Sequence, residues 1–132
     1  MEYTKLGNSD LTVSRICMGC MGFGDPHTGQ HSWTIDEEHS REVLQQALEL
    51  GINFFDTAIG YQNGTSEAYL GRALRDFAKR EDVVVATKFP GRSPEEIAAG
   101  VTGQQHVENF LDRSLQHLGM DYVDLYIYHM WD

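Results

Sequence analysis

Basic residues, cysteines and long apolar runs are all scarce in this sequence. Ten Lys and Arg stand against twenty Asp and Glu, for a net charge of -10. An acidic surface repels nucleic acid and anionic membrane, so neither is expected as a partner. No apolar run approaches the ~20 residues of a membrane span. The N-terminus, Met1 to Lys5, lacks the basic start and apolar core of a signal peptide, so a cytoplasmic protein is expected. There are two cysteines, Cys17 and Cys20, spaced as C-x-x-C. A zinc site needs a second pair or histidines at ligand spacing, and neither is evident. A thioredoxin-type motif opens a helix, whereas a segment rich in glycine, ending at Pro26, follows here. The thiols read as one strand residue and one loop residue, and no metal is expected.

What is present suits one soluble domain with a modest core, residues 1–132, at 41% hydrophobic and 23% charged. Extended segments at Tyr3 to Leu6 and Leu11 to Val13 flank turn-forming residues and predict a hairpin. Arg15 to Met18 reads as a strand, and residues 25–33 as a long loop carrying His27, His31 and Trp33. Pro26 and Gly29 argue against a helix that would set the two histidines on one metal. Thr34 to Glu37 has the form of a capping box, and Val43, Leu44, Ala47 and Leu48 then recur at helical spacing up to a stop at Gly51. A strand at Asn53 to Asp56 follows, then a helix marked by Leu70, Ala73, Leu74 and Phe77. Next come an apolar strand from Val83 to Lys88 and a short helix opening at Ser93. Thr102 to Gln105 is a second capping box, leading a long helix that ends at Gly119. Tyr122 to His129 reads as the last strand. His39, His106 and His117 read as surface residues of helices. Alternation of this kind implies a parallel sheet covered by helices, with right-handed crossovers.

Three of these strands end in a polar residue: Asp56, Lys88 and His129. Each caps an apolar row on its own face of the strand, since side chains alternate. In a barrel such rows point inward and their last members converge at the mouth. Tyr61 lies five residues beyond Asp56, able to lean over the same mouth. This set suits proton transfer to a carbonyl oxygen. A phenol is protonated at neutral pH and can donate, an ammonium beside it makes it a better acid, and a carboxylate keeps a buried ammonium charged. His129 can hydrogen-bond the same oxygen. No hydride source or nucleophile is present, so the set requires a cofactor.

The chain resembles the aldo-keto reductase superfamily over essentially its whole length. It looks most like the branch that holds bacterial oxidoreductases and the potassium-channel beta subunits. The matching stretches are Leu6 to Ser14, Met18 to Gly24, Gly51 to Ala58, Ser66 to Gly71, Ala86 to Phe89 and Ser114 to Tyr126. The resemblance implies a (β/α)8 TIM-type barrel, here truncated to about its first half: a hairpin and four parallel strands with three helices. It implies a hydride passing from NADPH to a small-molecule aldehyde or ketone. Tyr61 would be the general acid, Lys88 would sharpen its acidity, Asp56 would pair with Lys88, and His129 would position the carbonyl. Cys20, Met21 and Asp56 would touch the nicotinamide, and Trp33 would line the substrate pocket. A second reading of the same resemblance is a regulatory or binding subunit like the channel beta subunits.

The family completes an eight-stranded barrel of roughly 250 residues, and most groups that grip its cofactor lie beyond the fourth strand. The 132 residues therefore hold the acid–base set and little of the cofactor seat, and alone are expected to be inactive. A half barrel also has two open edges and an apolar inner face. Instability alone, or pairing with a second half-barrel chain or another copy, is the expectation.

Overall fold

A computed structural model describes residues 1–130. The hairpin pairs β1 (Tyr3–Lys5) with β2 (Thr12–Ser14) in antiparallel register. It is fastened to the start of the main sheet rather than lying within it. Asn53 Oδ1 accepts from Ser14 N at 2.7 Å, Asn53 Nδ2 donates to Thr12 O at 3.0 Å, and Tyr3 Oη donates to Gly51 O at 2.6 Å.

The main sheet has four strands in the order β3 (Met18–Gly19), β4 (Phe54–Asp56), β5 (Val84–Phe89) and β6 (Leu125–Tyr128), all parallel. Between them run α1 (Glu37–Glu49), α2 (Thr65–Phe77), the short α3 (Pro94–Ala98) and α4 (Gly103–Leu118). Strand, helix, strand repeated with each new strand added beside the last is the beginning of a barrel wall. Three of the four strands are shorter than their sequence patterns predict, while β5 keeps six residues. β3 pairs over only two residues instead of Arg15 to Met18, and β6 begins at Leu125 because Asp124 spends its carboxylate on Val85 N and on Arg80, at 2.9 and 2.8 Å.

Local chemistry places the helix ends. The start of α1 differs from the expected capping box. Asp36, not Thr34, is the N-cap and accepts from His39 N at 3.0 Å. Thr34 instead donates its hydroxyl to Gly24 O at 2.9 Å, tying the preceding loop to itself. Capping boxes do form at Ser93–Glu96 and Thr102–Gln105. Gly51 and Gly119 follow α1 and α4 with φ of +90° and +64°, the left-handed turn that lets the chain leave a helix for a strand.

The core lies between sheet and helices. Phe55 and Val85 pack with Leu44, Ala47, Leu70, Leu74 and Leu118, all buried. The alternate strand residues Phe54, Val84, Ala86, Leu125 and Ile127 lie outside that cluster, with Leu125 and Ile127 half exposed. They form the inner row of the wall. Two of the three histidines expected at the surface are structural. His106 is buried, with its ring nitrogens facing Glu96 Oε2 and Pro90 O, both at 2.6 Å. His117 Nδ1 lies 2.9 Å from Oε1 of Glu67, a fully buried carboxylate that also accepts from Thr87 Oγ1 at 2.7 Å. A buried carboxylate needs such partners, and apolar periodicity could not reveal them. His39 is exposed, as expected.

Helices α2 and α4 cross at Gly71, where a Cβ would overlap the carbonyl of Leu118. Backbone cannot yield there as a side-chain tip would. Gly71→Ala is expected to lower stability by about 1–3 kcal/mol in thermal or denaturant unfolding. Gly103→Ala, at a helical position with open space around it, should be neutral or slightly stabilising.

Candidate active site

The parallel register of β4 and β5 decides where the polar strand ends meet. Asp56 pairs with Ala86, so Lys88 emerges two residues further on, on the same face. Its side chain turns back toward β4. Lys88 Nζ lies 2.9 Å from Asp56 Oδ1, donates to Thr57 O at 2.7 Å, and donates to Tyr61 Oη at 3.3 Å. The side chain is only 11% exposed. Burying an ammonium is costly unless its protons are taken up and its charge is countered; Thr57 O and Tyr61 Oη accept its protons and the Asp56 carboxylate supplies the counter-charge, all from the stretch 56–61.

Tyr61 reaches this position because the chain turns sharply after β4. Tyr61 N donates to Ala58 O at 3.1 Å, and a tight turn over Tyr61–Gly64, with Gln62 and Asn63 in left-handed conformation, leads directly into α2. Since Lys88 donates to the phenol oxygen, the phenol's own hydrogen is free to point elsewhere. His129 continues the β5–β6 ladder, its amide donating to Phe89 O at 2.9 Å. Its ring stands edge-on to Tyr61, with centroids 5.8 Å apart and planes at 85°. Partial burial, reinforced by the Lys88 charge, lowers the His129 pKa, while Asp56 opposes the shift. The imidazole is therefore neutral at neutral pH, with one N–H to donate.

The four residues expected at the mouth are thus brought together. The other three candidates are placed differently. Cys20 is fully buried in the helix-side core, and its backbone groups are occupied: N donates to Asp56 O at 2.9 Å and O accepts from Ser66 Oγ at 2.7 Å. The thiol thus faces the helix-side core and away from the mouth. Met21, the next residue, is exposed. Trp33 is exposed too. It stacks on His31 at 4.7 Å between centroids and lies over Gly22. Cys17 lies near enough to Asp56 that partial burial and that carboxylate push its thiol up to about 11. Among the described residues no cluster of His, Cys, Asp or Glu could hold a metal ion.

Sequence reasoning passed over several supports. Thr57 Oγ1 and Ser66 Oγ lie 3.0 Å apart, and Ser66 also holds Cys20 O, so the first turn of α2 is bolted to the ends of β3 and β4. Glu67, one residue on, holds Thr87 beside Lys88. The only trace of this in the sequence is that polar residues occupy positions 66 and 67 just ahead of the apolar stripe of α2.

With this geometry established, comparison with known proteins is specific. The aldo/keto reductase family model matches residues 15–132. The chain is 33% identical to versiconal hemiacetal acetate reductase of Aspergillus parasiticus, over all of this chain and 43% of that protein. It is 37% identical to a probable voltage-gated potassium channel subunit beta of Oryza sativa subsp. japonica, over all of this chain and 38% of that one. Among solved structures, a thermostable aldo-keto reductase in complex with the inhibitor epalrestat superposes with a TM-score of 0.79 at 30% identity, over all of this chain and 44% of that one. An aldo-keto reductase from Klebsiella pneumoniae in complex with NADPH gives 0.68 at 25% identity, over 92% of this chain and 37% of that one. This is a (β/α)-barrel wall with polar strand ends, and the chain belongs to the aldo/keto reductase family. It spans less than half the length of these relatives.

Because Lys88 contributes to the His129 shift, replacing it should be visible at the imidazole. In an NMR titration His129 is expected to titrate below the ordinary histidine value, and Lys88→Met should move its midpoint upward. An unchanged midpoint would mean that the two groups do not sense each other.

Proposed function

We propose that this chain carries the acid–base half of a nicotinamide-dependent carbonyl reductase that converts an aldehyde or ketone to the alcohol with NADPH. The observation that carries the reading is the direction of the hydrogen bond at Tyr61. Lys88 donates to the phenol oxygen, which leaves the Tyr61 proton available to a third group at the mouth. A carbonyl oxygen is the acceptor that such a proton suits.

The residues present fit the reacting end of a nicotinamide. They offer a proton donor, a cation beside it and a neutral imidazole, and no group able to deliver a hydride. The cofactor supplies the hydride when bound, with the exposed Met21 and the carboxylate of Asp56 as the residues at hand to hold its reactive end. The NADPH found in the Klebsiella pneumoniae relative supports that choice of cofactor. Tyr61 and His129 both point hydrogen-bond donors at the carbonyl oxygen, polarising it and fixing its orientation. As negative charge develops there, the Tyr61 O–H bond breaks and its proton passes to that oxygen. Lys88 stabilises the phenolate left behind, and Asp56 keeps Lys88 charged and aimed. Tyr61 then recovers a proton from solvent, completing a balance of one hydride and one proton per carbonyl reduced. The phosphates of the cofactor would be held by residues outside this chain. The remainder of a barrel would cover the inner row of Phe54, Leu125 and Ile127.

Tyr61→Phe keeps the ring and removes the proton. In the protein that carries this chain it is expected to slow reduction of a simple aldehyde by about 10²–10⁴-fold, while nucleotide binding, followed by NADPH fluorescence, is retained. Turnover unaffected by Tyr61→Phe would overturn the proposal.

A further inference from the structure

The loop before α1 and the turn after Tyr61 are more than thirty residues apart in sequence, and one buried side chain joins them. Gln62 is 1% exposed. Its Nε2 lies 2.7 Å from Asp25 O, 2.5 Å from Thr28 O and 2.6 Å from His31 O, and its Oε1 accepts from His31 N at 2.9 Å. Three carbonyls converge on an amide with two hydrogens, so the loop backbone is wrapped around this one group. Neighbours on the same turn reinforce it. Asn63 Nδ2 donates to Thr28 Oγ1 at 2.5 Å, and Thr65 Oγ1 accepts from Asp25 N at 2.9 Å.

Both partners are shaped for the contact. Gly24 and Gly29 have φ of +147° and +76°, and a Cβ on either would come within 2.5 or 2.6 Å of Gln62. On the other side, Gln62 and Asn63 are the only residues besides glycine with positive φ among the described residues, at 50° and 53°. Two successive side chains in that region persist only where surrounding bonds hold them. The residue before them is Tyr61, whose hydroxyl sits at the long distance of 3.3 Å from Lys88 Nζ, so a small relaxation of the turn would separate them.

We propose that Gln62 is a positioning residue: it docks the 24–31 loop onto the turn after Tyr61 and thereby holds the phenol in register with Lys88. This role rests on the reading of Tyr61 as the general acid. It is specific to a carboxamide, because only that group offers donors to the loop carbonyls and an acceptor to His31 N at once. Glutamate would set a negative charge among three carbonyl oxygens, and protonating it would restore a donor.

The test compares Gln62→Ala, Gln62→Glu and Gly29→Ala, each made in the protein that carries this chain, with the unsubstituted protein. Gly29→Ala breaks the contact from the loop side and leaves the turn's own residues intact. All three are expected to speed amide exchange across residues 24–31, and to lower kcat by about 10–100-fold with little change in KM for the nucleotide. The defect of Gln62→Glu should shrink as pH falls, relative to wild type at the same pH, and that of Gln62→Ala should not. A merely structural role would lower the folded fraction and leave kcat per folded, nucleotide-binding site unchanged. Unchanged exchange in the loop, or full kcat in variants whose loop has loosened, would overturn the positioning role alone. A wild-type protein that reduces no carbonyl would overturn the proposed function and this role with it.

Discussion

The ammonium of Lys88 is the group on which the site depends. It is nearly buried, and a buried cation is tolerated only when its protons are accepted. Thr57 and Tyr61 accept them and Asp56 supplies the counter-charge, all from a single stretch of chain at the end of one strand. Lys88 itself ends the neighbouring strand. The pairing of β4 with β5 therefore does more than build a sheet: it sets a charge and its counter-charge within 2.9 Å. A slip of one residue would turn Lys88 to the helix face, where Thr87 now meets the buried Glu67. Either side of the register carries a polar group committed to a particular partner, which makes the alternative costly on both faces.

That commitment spreads outward through the first turn of α2. Ser66 reaches the end of β3, Glu67 reaches β5 and, through His117, α4. Three successive connections of the wall are thus tied to one helical turn, and the same turn follows directly from the segment bearing Tyr61. The packing of α2 against α4 at Gly71 keeps the turn in place from behind. Apolar burial gives this region its stability, and the polar contacts give it a single arrangement.

Much of this was legible in the residues. Glycines at 51 and 119, apolar stripes in the helices and polar residues at 56, 88 and 129 were enough to predict a parallel wall with a polar mouth, since each signal is local and periodic. What escaped was set by partners distant in sequence. His106 and His117 occupy helical positions that look solvent-facing until Glu96 and Glu67 are brought to them. Asp36 displaced Thr34 as the cap of α1 because Thr34 is engaged by Gly24. Cys20 was expected to touch a nicotinamide, yet its thiol lies in the helix-side core. The hydrogen-bonding appetite of Gln62 has no periodic signature at all.

The raised pKa of the Cys17 thiol bears on its reactivity. Thiolate is the species that oxidants and electrophiles attack. With a pKa of about 11, only about one molecule in ten thousand carries it at neutral pH. Cys20 is sealed in the core. A sequence that displays the spacing of a redox pair thus holds two thiols that electrophiles and peroxides would find slow to modify, one for want of charge and one for want of access.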